Sequence, residues 1–156
     1  MRPRPGARLR VLAARRANED TVFTPTQIAW TGCVLREAKK KLGRISPFSR
    51  DELATLAAKL PRMLADPAAF EELPKLFTAV GVCLVYVEAL PGAKMDGCAF
   101  YIDSTPLIGL SGRGKRLDKV LFTLLHEIAH LVSGHVGPED MLIESMDDDS
   151  SANSNE

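Results

Sequence analysis

Apolar residues recur along this chain in two rhythms, helical stripes on either side of a stretch of short continuous runs. After Thr24-Pro25-Thr26, the positions Ile28, Val34, Leu35, Ala38 and Leu42 give a rough helical face. Pro25 suits its first turn and Gly43 marks its stop. Leu53, Leu56, Leu60 and Leu64 form a second stripe, opened by Ser49 with Glu52 at capping-box spacing, and Pro61 predicts a kink or break in it. Asp66-Pro67 starts a third helix, which runs to Val80, bends at Pro74 and is ended by Gly81. The rhythm then changes. Residues 82–88 (VCLVYVE), 98–103 (CAFYID) and 107–110 (LIGL) are apolar runs too short for helices and rich in strand formers. They are separated by Pro91-Gly92 and by Asp103-Ser104-Thr105-Pro106, and connections this short predict antiparallel neighbours.

A last helical stripe follows the loop Ser111-Gly112-Arg113-Gly114-Lys115-Arg116. Leu117, Leu121, Leu124, Ile128 and Leu131 are spaced four, three, four and three, as in a core-facing helix. Opposite that stripe, with Lys119, Thr123 and Ser133, lie His126 and His130, which belong to His126-Glu127-Ile128-Ala129-His130. This is an H-E-x-x-H pattern. Histidines at i and i+4 are surface neighbours on a helix, so both imidazoles can reach one metal ion. Zn²⁺ held by two His and one further ligand keeps an open position for water. Glu127 falls at the edge of that site, placed to take a proton from the attacking water and pass it to a leaving amine. The catalytic candidate is therefore Glu127, the metal candidates are His126 and His130, and the expected cofactor is Zn²⁺. An ordinary helix would have to explain why two of only three histidines flank a Glu at this spacing.

Composition narrows the classes around this motif. The 156 residues predict one compact domain, and 20 basic against 20 acidic residues give no net charge to draw nucleic acid or a membrane. Charge is uneven at the ends. Residues 1–16 hold six Arg and no acid, and residues 139–156 hold only negative charges. Both ends read as solvated, giving a basic arm over 1–23, a domain over 24–143 with its core at about 70–136, and an acidic, disordered tail over 144–156. The arm lacks aromatic interleaving and a reading helix, so no direct nucleic-acid contact is expected. Cys33, Cys83 and Cys98 have no C-x-x-C spacing and fit a reducing compartment. With neither a membrane-length apolar run nor a secretory signal, the expected location is cytoplasmic. The glycines of residues 111–116 match no P-loop spacing and read as a sheet-to-helix connection.

The order of elements from about Phe70 to His135 carries a resemblance. A helix ending at Gly81, GVCLVYV, LPG, DGCAFYID, PLIGLS, a basic loop with Asp118, and LFTLLHEIAHLVSGH are together similar to the ImmA/IrrE family of zinc metallopeptidase-like domains. The resemblance is closest to members fused to a helix-turn-helix regulator and associated with toxin–antitoxin systems. It implies an α+β, zincin-like fold, in which a small antiparallel three-stranded sheet packs with helices that include the H-E-x-x-H helix. It also implies zinc on His126 and His130, Glu127 as base, and a protein substrate, a helix-turn-helix repressor or an antitoxin. A substrate would lie extended along the edge of one of the three strands. Arg113, Tyr101 and His135 are candidates to stabilise the oxyanion.

The chain departs from the family at the third ligand, usually a Glu on a helix some twenty or more residues after the motif. Such a ligand is expected beyond Glu156, and the Ala152-Asn153 pair is not equated with the family's motif. His135 is nine residues after His126, one short of the metzincin spacing. Glu139, Glu144, Asp147, Asp148 and Asp149 belong to an acidic segment that makes a poorly preorganised ligand set. The alternative function is a regulatory, protein-binding module that retains the fold with weak or absent catalysis.

Overall fold

A Thr24–Gln27 capping box starts the first helix, α1 (Pro25–Lys39). Thr24 Oγ1 accepts from the Gln27 amide at 3.2 Å, and Gln27 Oε1 accepts from the Thr24 amide at 3.0 Å. The computed structural model describes residues 24–134 and, as backbone, Arg15–Arg16, Glu19–Asp20 and Met141–Glu144. Most of the basic arm and of the acidic tail lies outside the described residues. Within the arm, Arg15–Arg16 pairs antiparallel with Glu19–Asp20.

Ser49 caps α2 (Arg50–Met63), accepting from the Glu52 amide at 3.3 Å. Pro61 does not end this helix at once; two more residues follow before Leu64 closes it. The expected third helix is instead two elements. A 3₁₀ stretch, Pro67–Glu72, is capped by Asp66, and α3 (Leu73–Ala79) begins afresh with Pro74 in its first turn. There the missing N–H has no intrahelical acceptor to lose, so Pro74 restarts the helix rather than bending it. Gly81 at φ +86° turns the chain into the sheet, while the Val82 amide reaches back to Phe77 O at 2.9 Å.

The three central strands are β1 (Cys83–Tyr86), β2 (Gly97–Ile102) and β3 (Thr105–Leu110). β2 and β3 form the expected antiparallel hairpin, with Asp103 at φ +53° in its turn. β1 departs from expectation. It pairs with β3, not β2, and does so in parallel, with Cys83 opposite Leu107 and Tyr86 opposite Leu110. The sheet is therefore mixed rather than antiparallel. β1 lies beside β3 rather than β2 because β3, buried at every position from Pro106 to Leu110, needs a neighbour on each edge. Pro106, lacking an amide, lies opposite Tyr101 and outside the β1 pairing. A fourth strand, β4 (Met141–Glu144), pairs antiparallel with β2, giving the order β1-β3-β2-β4. The expected boundary at residues 143/144 thus cuts through a strand.

Both faces of the sheet are covered, which is why its strands read as continuous apolar runs. On one face, Trp30, Val34 and Ala38 of α1 pack against Cys83, Val85, Cys98, Phe100 and Leu107. On the other, α2, α3 and α4 (Leu117–Ser133) pack Leu53, Leu56, Leu60, Phe77, Leu124, Ile128 and Leu131 against Leu84, Ala99, Ile108 and Leu110. No described helix is long and apolar enough to cross a membrane.

Trp30 is fully buried, and its indole N–H donates to Val87 O at 2.9 Å, tying α1 to the end of β1. Trp30→Phe removes that donor and leaves the carbonyl short of it, so stability in a urea titration should fall by about 1–3 kcal/mol.

Candidate metal centre

Helix α4 carries the H-E-x-x-H residues and packs on β2 and β3. Arg116 occupies its N-cap position without a side-chain cap bond; its guanidinium grips Asp118 in the first turn, with Nη2 to Oδ2 at 2.6 Å. That hydrogen bond holds the Asp118 carboxyl below its ordinary range. The buried face of α4 is Thr123, Leu124, Glu127, Ile128 and Leu131. At 100° per residue this arc is turned by about 50° from the expected stripe. Leu117, expected inside, is 46% exposed, and Thr123, expected on the polar side, is buried. The sheet presses on the Thr123–Glu127 side because Gly97 allows the helix to approach there. A Cβ on residue 97 would meet Thr123 Cγ2 at 2.8 Å and Glu127 Oε1 at 3.1 Å.

The rotation leaves His126 and His130 at the rim of the buried arc, both partly accessible. Their Nε2 atoms are 2.9 Å apart, with ring planes at 80° and centroids 4.6 Å apart. Phe122, 60% exposed, brings its ring centroid to 6.5 Å from that of His126. Nitrogens sharing one tetrahedral zinc ion at about 2.0–2.1 Å lie about 3.3 Å apart, so this pair stands near, and slightly inside, the spacing of two ligands of one ion. The same spacing is also that of a hydrogen bond between one protonated and one unprotonated Nε2. Among the described residues no group of three His, Cys, Asp or Glu is placed to hold a metal ion. His135, Glu139, Asp147, Asp148 and Asp149 lie outside the described residues, and Glu144 is described only as backbone within β4.

Glu127 is fully buried, not at an open edge of the site. It lies between α4 and the start of β2, near enough to Cys98 for its negative charge to act on the thiol. Burial first, and then Glu127, push Cys98 well above the ordinary thiol range. A carboxylate so placed is screened from bulk water.

Beside this carboxylate is an ion cluster that the sequence reading missed. Asp96, 3% exposed, accepts from Arg113 through Nε at 3.0 Å and Nη2 at 2.9 Å, and Lys119 Nζ lies 3.2 Å from its Oδ1. Ser111, also buried, donates to Met95 O at 2.7 Å and accepts from the Arg113 amide. The cluster joins the loop before β2 to the loop before α4 and to the first turns of that helix. Arg113, a candidate to stabilise an oxyanion, is thus engaged in a bidentate pair that fixes the loop. Tyr101, the second candidate, lies towards the far end of β2; burial raises its phenol and Arg50 opposes that rise. Arg50 also approaches Gly134 at the end of α4. The signal for Asp96 was present in the sequence as a lone acid at the mouth of an apolar run.

Comparison with protein-family profiles, curated proteins and solved structures finds no match to this chain.

Two outcomes follow from this geometry. Asp96→Ala removes the buried carboxylate that both Arg113 and Lys119 grip, and should cost about 2–4 kcal/mol in a denaturant titration. Iodoacetamide at mildly alkaline pH should label the half-buried Cys33 in the folded protein and reach Cys98 only after unfolding, as read by peptide mass mapping.

Proposed function

We propose that this chain is a zinc-dependent endopeptidase domain of the ImmA/IrrE type. Its zincin-like core would act in the cytoplasm on a protein substrate, a helix-turn-helix repressor or an antitoxin, and so relieve repression. The observation that carries this reading is the convergence of His126 and His130, with Nε2 atoms 2.9 Å apart on the helix whose next inward residue is Glu127. His126 and His130 would hold the metal, which when bound supplies a Lewis acid for the scissile carbonyl. Glu127 would accept the proton of the attacking water at its carboxylate and return it to the leaving amine. Phe122, exposed beside His126, supplies an apolar surface for a substrate side chain. The cluster of Asp96, Arg113 and Lys119 holds the loop that positions α4 against β2.

A second reading is favoured by a specific observation. Glu127 is fully buried and the described donors stop at two histidines, an arrangement that suits a regulatory, protein-binding module with weak or no catalysis.

Metal analysis after purification in metal-limited buffer tests both. Wild type and Glu127→Gln should carry about one zinc per chain, and His126→Ala should lose it. Cleavage of a repressor or antitoxin substrate should fall at least about a hundredfold in Glu127→Gln, the usual weight of a general base. Equal zinc in His126→Ala and wild type would sink the metal site. Zinc in wild type with no loss of cleavage in Glu127→Gln would remove Glu127 as base, and zinc without any cleavage would favour the binding module.

A further inference from the structure

A sheet edge beside a peptidase site is where an extended peptide would dock, and here one such edge is already taken by the chain itself. Of the two edges of the β1-β3-β2 unit, the β2 edge is the one that begins against α4, where Gly97 meets Thr123 and Glu127. β4 occupies that edge antiparallel, with Gly97 opposite Glu144, Cys98 opposite Ile143, Ala99 opposite Leu142 and Phe100 opposite Met141. This is the main-chain pairing that an added peptide strand makes.

We propose that Met141–Glu144 is an autoinhibitory strand, which holds the peptide-binding edge of β2 until an extended segment of a partner protein displaces it. The proposal rests on the peptidase reading for its functional meaning, although the exchange itself requires no metal. Two observations support exchange, and a third sets its threshold. The β4–β2 ladder covers residues 97–100 only, whereas β2 pairs with β3 along its whole length to Ile102. Among the described residues β4 is the outermost strand, with a sheet neighbour on one side alone. It also follows α4 closely in the chain, and a short tether gives it an effective concentration in the millimolar range. A partner strand must outcompete that tether, so only a high local concentration or additional contacts would open the edge.

The double variant Leu142→Pro/Ile143→Pro tests this in the full chain. Consecutive strand residues point their amides to opposite sides, so one of the two prolines must remove a donor facing β2. The probe is a labelled synthetic peptide with the sequence of residues 137–146, GPEDMLIESM. By fluorescence anisotropy it should bind the double variant at least about tenfold more tightly than wild type, because the tethered competitor is gone. Equal binding to the two proteins would overturn the proposal. Hydrogen exchange on wild type supplies a reading that does not depend on how the variant folds. The amides of residues 97–100 that face β4 should exchange far faster than those of β3, through local release of the strand. Exchange of both sets only with global unfolding would make β4 a fixed part of the sheet and refute the proposal. Neither reading involves zinc, so failure of strand exchange and failure of the peptidase reading are told apart.

Discussion

The close approach of α4 to the first residue of β2 sets the rest of this molecule. With no side chain at Gly97, the helix settles against the sheet with its Thr123–Glu127 side turned inward beside Leu124, Ile128 and Leu131, and the Leu117 end of its stripe is left outside. Three consequences follow. Glu127 is carried out of solvent, His126 and His130 are left together at the rim, and Leu117 and Phe122 are turned outward. The ion cluster built on Asp96 then secures the contact, since the same short stretch, Asp96-Gly97, supplies the carboxylate that Arg113 and Lys119 grip.

This arrangement divides the burden between the two faces of the sheet. The α1 face is apolar, and its directed ties run from the Trp30 indole to the Val87 carbonyl and from the Cys83 thiol to the Ala38 carbonyl. The α4 face carries a buried carboxylate and a charged cluster within a few residues of one another. Burying a charge is costly unless partners compensate it, and such groups concentrate where chemistry is performed. The asymmetry gives a physical reason to look for function on the α4 face.

A peptidase and a binding module would both use this face, and they differ in what Glu127 must do. As a general base it needs a path for water and for the proton it accepts. As a structural group it needs enclosure and partners that compensate its burial. The β2 edge bears on both, because a strand added there passes the end of β2 that Glu127 touches. Its occupancy by Met141–Glu144 connects the geometry of the sheet to control of access.

Much of the local structure was legible in the residues. Thr24-Pro25 and Ser49 opened helices as capping chemistry requires, Gly81 closed one, and the strand runs lay within two residues of their expected positions. The i, i+4 spacing of His126 and His130 was enough to bring their rings together, because helix geometry is local. What depended on tertiary contact was not legible. Pro74 could have bent a helix or started one, and packing decided. The pairing of β1 with β3 rather than with β2 arose because a strand buried on both faces must also be paired on both edges, a demand no pair of runs expresses alone. The burial of Glu127 and Thr123 depended on a glycine some thirty residues earlier, since helical periodicity fixes which residues share a face but not which face the sheet will choose.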